Sequence, residues 1–177
     1  MTDDLRFIMD HANGVFELRA GAIMVRRTPT PRLLMVTSES LAFTYSVGGA
    51  VSFGETTREA LAREIREETG VDLPIGELAA IEQAVYHDDD DGRDWHIVAL
   101  HYWVEVPPDF NPVSTSVTLS GKPERLCWIG ADEIAAGLTY YPIFYKDALE
   151  GEWSGVRHII DRPAPSQPDV TQPPRPL

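Results

Sequence analysis

The sequence predicts an α/β or α+β fold, a mixed β-sheet flanked by helices. Three observations carry that prediction. Strand-like apolar runs recur along the chain. They are interrupted by one strongly capped amphipathic helix between Thr56 and Gly70. The length of 177 residues gives room for one domain with a sizeable core.

In chain order, residues 1–14 form a mostly polar N-terminal segment that is expected to be poorly ordered. Val15 to Arg26 alternates well enough for a strand, and Arg32 to Thr37 reads as its partner across the turn Thr28-Pro29-Thr30-Pro31. Phe43 to Val47 is a short strand leading into Gly48-Gly49 and Gly54, read as a loop whose backbone comes close to a ligand. Beyond the helix, Glu77 to Tyr86 and Trp95 to Val106 are longer strands joined as a hairpin by the Asp-rich turn Asp88 to Asp94. Pro107-Pro108 ends the second. Arg125 to Ile129 reads as a short buried strand, and Ala131 to Ala136 and Pro142 to Leu149 as helices. The domain thus covers residues 15–160. The tail, 161–177, is rich in proline and is expected to stay disordered and solvated.

The helix carries the chemistry. Thr56 is its N-cap, and Glu59 completes a capping box. Leu61, Ala62, Ile65 and Thr69 form a stripe that faces a core, and Gly70 supplies the left-handed stop. Beside the stripe, Glu64, Glu67 and Glu68 stand at i, i+3 and i+4, on one face. Ala60 falls among them and leaves room for an ion. Like charges so placed repel by roughly 0.2–0.5 kcal/mol per pair in water, a cost that a cation converts into a site. Oxygen-only donors select a hard ion, Mg²⁺ or Mn²⁺, over zinc. Arg63 reaches Glu67 at i+4 and orients it. A solvated, Glu-rich surface helix is the competing reading, and it leaves the glycines upstream unexplained.

Composition narrows the partners. The 28 acidic and 15 basic residues give a formal net charge of −13. That argues against nucleic acid held by phosphate neutralisation and against an anionic membrane surface. It also repels a phosphate-bearing substrate unless divalent ions neutralise the acidic face. The single cysteine, Cys127, excludes an intramolecular disulfide and reads as a small buried strand residue. With no signal peptide and no apolar run of transmembrane length, a cytoplasmic protein is expected. The oligomeric state stays open, a homodimer included.

Residues Gly49 to Val71 read GAVSFGETTREALAREIREETGV. This stretch resembles the Nudix box, G-x5-E-x7-R-E-U-x-E-E-x-G-U, where U is a bulky aliphatic residue. Gly49, Glu55, Arg63, Glu64, Ile65, Glu67, Glu68, Gly70 and Val71 fill its fixed positions. Val47 stands where many members carry proline, and Ser52 near where many carry glutamate. Both departures concern loop shape and leave the fixed positions intact.

The resemblance, which covers roughly Phe16 to Glu150, implies an α/β/α sandwich. It also implies hydrolysis of a nucleoside diphosphate linked to another group. Mg²⁺ (or Mn²⁺) would be held by Glu64 and Glu68 with help from Glu67 and the Gly48 carbonyl, while Glu55 and Arg63 orient the acids. Such an ion neutralises charge developing on the diphosphate and lowers the pKa of a bound water. Glu67, Glu68 or Glu124 is the base that takes the proton, with Glu82 and Glu105 as alternatives to Glu124. Glu124 and Tyr86 are the expected substrate-side residues, and Tyr45, Trp95, Tyr140 and Tyr141 are further stacking candidates. The small-molecule nucleotide remains open among nucleoside triphosphates, dinucleoside polyphosphates and nucleotide sugars. The proline that marks ADP-ribose members is missing around Tyr86 to Asp89.

The competing class is a non-catalytic, nucleotide-sensing domain on the same fold. Such domains often lose box acids, and regulators usually add a DNA-binding segment. This sequence keeps the acids and shows no such segment. Asp88 to Asp91 reads as a solvated turn rather than a cation loop. His87, His96 and His101 are too scattered for zinc.

Overall fold

The computed structural model describes residues 6–9, 13–39, 42–89, 92–114, 117, 121–151 and 153–162. Five strands come first: β1 (Arg6–Met9), β2 (Gly14–Arg26), β3 (Arg32–Ser38), β4 (Thr44–Ser46) and β5 (Gly48–Ala50). Helix α1 (Thr57–Thr69) separates them from β6 (Ile75–Asp88), β7 (Arg93–Val104) and β8 (Glu124–Ile129). The chain ends with α2 (Ala131–Ala135), β9 (Tyr140–Tyr141), a 3₁₀ turn over Ile143–Lys146, α3 (Asp147–Glu150) and β10 (Arg157–Asp161).

Strand β2 is the spine of a curled, mixed sheet. Parallel β7 follows one of its edges from Gly14↔Asp94 to Met24↔Val104. The other edge is shared in turn by β1, β5 and β3. Antiparallel β6 pairs with β7, and β10 adds to β6 in parallel. On the far side β3 continues to β8, β4 and β9. The path β10-β6-β7-β2-β3-β4-β9 is that of an α+β sandwich.

Alternation along the strands divides the core into two layers. Ala20, Ala22, Met24, Leu34 and Val36 point to one face and pack with Ala60, Leu61 and Ile65 of α1. Ile23, Leu33, Met35 and Ala80 point to the other and pack with Phe144, Tyr145 and Ala148. Burying a side chain such as Leu61 or Ile65 contributes about 1.5–3 kcal/mol. Arg58 ties the start of α1 to β6 by donating to the carbonyls of Gly76 and Ile75 at 2.8 and 2.6 Å. This seats the acid-bearing edge of α1 against β5.

Several elements differ from expectation. Arg6–Met9 is a strand on β2 within the segment expected to lack order. Strand β3 meets β2 only at Val25↔Leu33 and Arg26↔Arg32; its main partner is β8. The stretch Gly48–Ala50, read as a loop, is a short strand, because the edge of β2 offers free ladder positions from Arg19 to Gly21. Strand β8 is mostly half-buried, with only Ile129 fully inside. Pro142 to Leu149 divides into a 3₁₀ turn and one turn of α-helix. Asp161, assigned to the tail, closes β10. The rest of the tail call, from residue 163 on, lies outside the described residues, as do Asp90 and Asp91 of the acidic turn.

Candidate active site

Arg63 organises the box. Its Nε and Nη2 donate to Glu55 Oε1 and Oε2 at 2.9 and 3.1 Å, a bidentate pair. Its Nη1 donates to Glu64 Oε1 at 2.7 Å and to Glu67 Oε2 at 3.3 Å. Nη2 also reaches the Ala50 carbonyl of β5 at 3.2 Å. Glu55 is fixed from behind by the Ser52 N–H at 3.0 Å. The hydrogen bond from Arg63 holds the Glu55 carboxyl below its ordinary pKa, and the same contacts keep Arg63 firmly cationic. The expected Arg63–Glu67 contact is thus present but is the longest of the set.

The three helix acids do not share one environment. Glu68 is buried, 5% exposed, and its Oε2 has no hydrogen-bond partner among the described residues. Burial raises its pKa well above the ordinary value, reinforced by the charges of Glu64 and Glu124 and opposed by a bond from the Gly48 backbone. Glu64 is turned inward against Gly49, where an added Cβ would lie 2.3 Å from Glu64 Oε1. Burial raises the Glu64 pKa as well, with Arg63 pulling the other way. Glu67 faces outward, 56% exposed, beside Arg63. Ala60 lies in the core rather than among the acids, because its position turns it toward Leu61 and Ile65. Among the described residues, no three acid, histidine or cysteine side chains already converge on one point.

Residues of three strands surround the helix acids. Glu124, expected in a loop, is the first residue of β8. Its Oε1 accepts from the Tyr45 hydroxyl of β4. Burial, then that bond, pushes the Tyr45 pKa up, so its proton stays in place. Arg19 of β2 was not singled out in the sequence. Burial disfavours its charge, yet Glu17, bonded to it at 2.8 Å, and the field of Glu64 keep its pKa above the ordinary value. Its side chain is 37% exposed, while Glu17 is fully buried. Glu17 and Arg19, two opposite charges at alternate positions of an otherwise apolar run from Val15 to Val25, were the available signal.

The other candidates lie outside this cluster of acids. Glu82 is tied to His101 Nε2 at 3.0 Å, in a buried cluster that also holds the Tyr145 hydroxyl. His87 pairs with Asp94 at 2.8 Å, and His96 meets Phe16 edge-on. Tyr140 is buried, and Tyr141 packs edge-on against Phe43. Tyr86 lies parallel to Trp95. Cys127 is half-buried, and burial pushes its thiol pKa up, away from nucleophilic reactivity. Among the described residues no helix is long and apolar enough to cross a membrane.

The sequence pattern of the NUDIX domain matches residues 15–148. No curated protein matches the chain. Among solved structures, the MutT NUDIX hydrolase from Burkholderia pseudomallei is similar at 25% identity and a TM-score of 0.55, covering 76% of this chain and 96% of that one. Dihydroneopterin triphosphate pyrophosphohydrolase from E. coli is similar at 18% identity and 0.57, covering 78% and 97%. The NUDIX domain of Shewanella oneidensis NrtR, solved with ADP ribose, is similar at 15% identity and 0.53, covering 76% and 84%. The last two are similar in fold alone. A domain pattern that runs from β2 into α3, over most of the chain, settles the family. This chain belongs to the Nudix hydrolases.

Proposed function

We propose that this protein uses a divalent cation to hydrolyse a phosphoanhydride bond in a nucleoside diphosphate linked to another group. That group makes the substrate a nucleoside triphosphate, a dinucleoside polyphosphate or a nucleotide sugar. One observation carries the reading: the buried Glu68 Oε2 has no partner among the described residues and lies in the field of Glu64 and Glu124. An orphaned carboxylate oxygen costs free energy unless something positive meets it. The donors are all oxygens, as Mg²⁺ or Mn²⁺ requires. Glu64 and Glu68 would hold the ion, helped by Glu67 and the Gly48 backbone. When bound there, it neutralises charge on the diphosphate and activates water for attack.

The chain's own residues have separable tasks. Arg63 and Glu55 fix Glu64 in orientation through the contacts above. Arg19 takes a phosphate oxygen; its partly exposed side chain in the field of Glu64 supports this role. Glu124 is the proposed base, ahead of Glu67, because Tyr45 steadies it and its charge is felt at Glu68, whereas Glu67 points to solvent. Tyr86 lines the substrate side. The lone half-buried cysteine suits a reducing cytoplasm.

A product screen tests the reading. Nucleoside triphosphates, nucleotide sugars and dinucleoside polyphosphates are each incubated with Mg²⁺, with Mn²⁺ and with a chelator. Turnover of one class that stops in the chelator is expected. Tight binding of a nucleotide without turnover of any compound would instead make the domain a sensor.

A further inference from the structure

On the sheet face away from α1, Glu82, His101 and Tyr145 form a buried polar cluster beside an apolar layer that includes Ile23, Met35 and Ala80. Glu82 Oε2 lies 3.0 Å from His101 Nε2, and the Tyr145 hydroxyl lies 2.8 Å from His101 Nδ1. Phe144 stands edge-on to the His101 ring at 5.2 Å. The Tyr145 hydroxyl also bonds the side chain of Ser46 in β4. Polar groups in such a layer cost free energy that an apolar set of like volume would not. What their bonds supply, and packing alone would not, is a fixed place for Ser46 and for Gly21.

Both places lead to Gly48. Ser46 is followed by the fully buried Val47, whose carbonyl accepts from the Ala22 N–H at 2.9 Å, and then by Gly48. Gly21 pairs with Gly48 across the ladder of β2 and β5. The cluster presses on Gly21, where a Cβ would lie 2.6 Å from His101 Nδ1 and 3.1 Å from the Tyr145 hydroxyl. Gly48 lies against the same strand: a Cβ on it would meet the Ala20 carbonyl oxygen at 2.2 Å and Gly21 Cα at 2.9 Å. Its φ of 138° favours glycine. The Gly48 backbone in turn bonds Glu68. Tyr145 thus reaches the acid face by two routes, along the chain through Ser46 and across the ladder through Gly21.

We infer that Tyr145 is a positioning residue for the metal site: its hydroxyl, braced by His101 and Glu82, fixes Ser46 and Gly21, and through them the Gly48 turn beside Glu68. This rests on the proposed place of Mg²⁺ or Mn²⁺ at Glu64, Glu68 and the Gly48 backbone. Tyr145 is fully buried on the opposite face and would touch neither ion nor substrate. It acts as the partners behind metal ligands do, by orienting them.

Binding of Mn²⁺ alone to the full chain, read from the electron paramagnetic resonance of the free ion, tests the inference without turnover. Uptake at the site is the part that Glu68→Gln removes. Tyr145→Phe deletes only the hydroxyl, and Ser46→Ala deletes its partner at a half-buried position. Each should bind Mn²⁺ about ten-fold more weakly than the wild type. Ile129→Val, which trims the same apolar layer but removes no polar group, should bind it as the wild type does. Unchanged Mn²⁺ affinity in folded Tyr145→Phe and Ser46→Ala overturns the inference and leaves the hydrolase reading standing. So does an equal weakening in Ile129→Val, which would make the effect one of packing. No uptake of Mn²⁺ by the wild type overturns the inference and the metal reading together. Should Tyr145→Phe fail to fold, Ser46→Ala decides.

Discussion

At the scale of single residues, the box works by substituting fixed partners for solvent. Arg63 is the residue on which most depends, because five of its contacts join α1, β5 and the loop that carries Glu55. Arg63→Ala leaves Glu55 and Glu64 without their cation and is expected to cost about 2 kcal/mol, the scale of hydrogen bonds to charged groups. Urea denaturation reads that loss. Lysine cannot restore the bidentate fork, so Arg63→Lys should recover little. Gly49→Ala places a methyl against Glu64 and should lower kcat by roughly 10–100-fold, as lost ligand support does, while the melting temperature reports whether the fold survives. These residues were legible in the sequence because their spacing is fixed. Arg19 was not, nor was the role of Tyr45 as partner of Glu124, since each acts across strands whose pairing no local pattern declares. The direction in which Glu67 and Glu68 point was also hidden: a helical wheel gives angles, but the position of β5 decides which acid is buried.

At the scale of elements, α1 was the most legible part of the chain. Its capping box is present as expected, with the Thr56 N–H donating to Glu59 Oε2 at 2.8 Å and Gly70 in the left-handed conformation at φ 76°. Thr56→Ala should destabilise the protein by about 1 kcal/mol, measurable as a lower urea midpoint. Helix α2 is held differently. Arg32 donates to Glu133 at 2.8 Å, and that bond, with help from Asp132 and the Gly130 N–H, lowers the Glu133 pKa from 4.5 to about 2. A depressed acid contributes stability above its unfolded pKa and loses it as pH falls through the folded one. The stability difference between wild type and Glu133→Gln should therefore be constant above pH 4.5 and vanish toward pH 2, as paired denaturation curves would show. The β6–β7 hairpin was legible from alternation and its turn. The short strands β1, β5, β9 and β10 were not, because two to five residues pair only where a neighbouring edge already exists.

At the scale of the whole molecule, the fold class followed from the order of elements, but the parallel pairing of β2 with β7 did not. It joins segments far apart in the sequence, and tertiary packing alone selects it. The net charge of −13 and the crowded carboxylates give the molecule a common need for cations. Mg²⁺ at about 100 times its Kd should stabilise the fold by about 2.7 kcal/mol, or roughly 5–11 °C in Tm for a domain of this size. Calorimetric scans with and without the ion check this.

Glu68 is the buried carboxylate around which the proposed metal-dependent reaction is built. The most direct test of that role is the Mg²⁺ dependence of nucleotide hydrolysis by the wild type and by Glu68→Gln, measured side by side on protein shown to be folded. Metal-dependent turnover is expected in the wild type, with a loss of more than about 100-fold in the variant, at least what lost ligand support costs. A folded Glu68→Gln protein that keeps the wild-type rate and the wild-type Mg²⁺ dependence would contradict it.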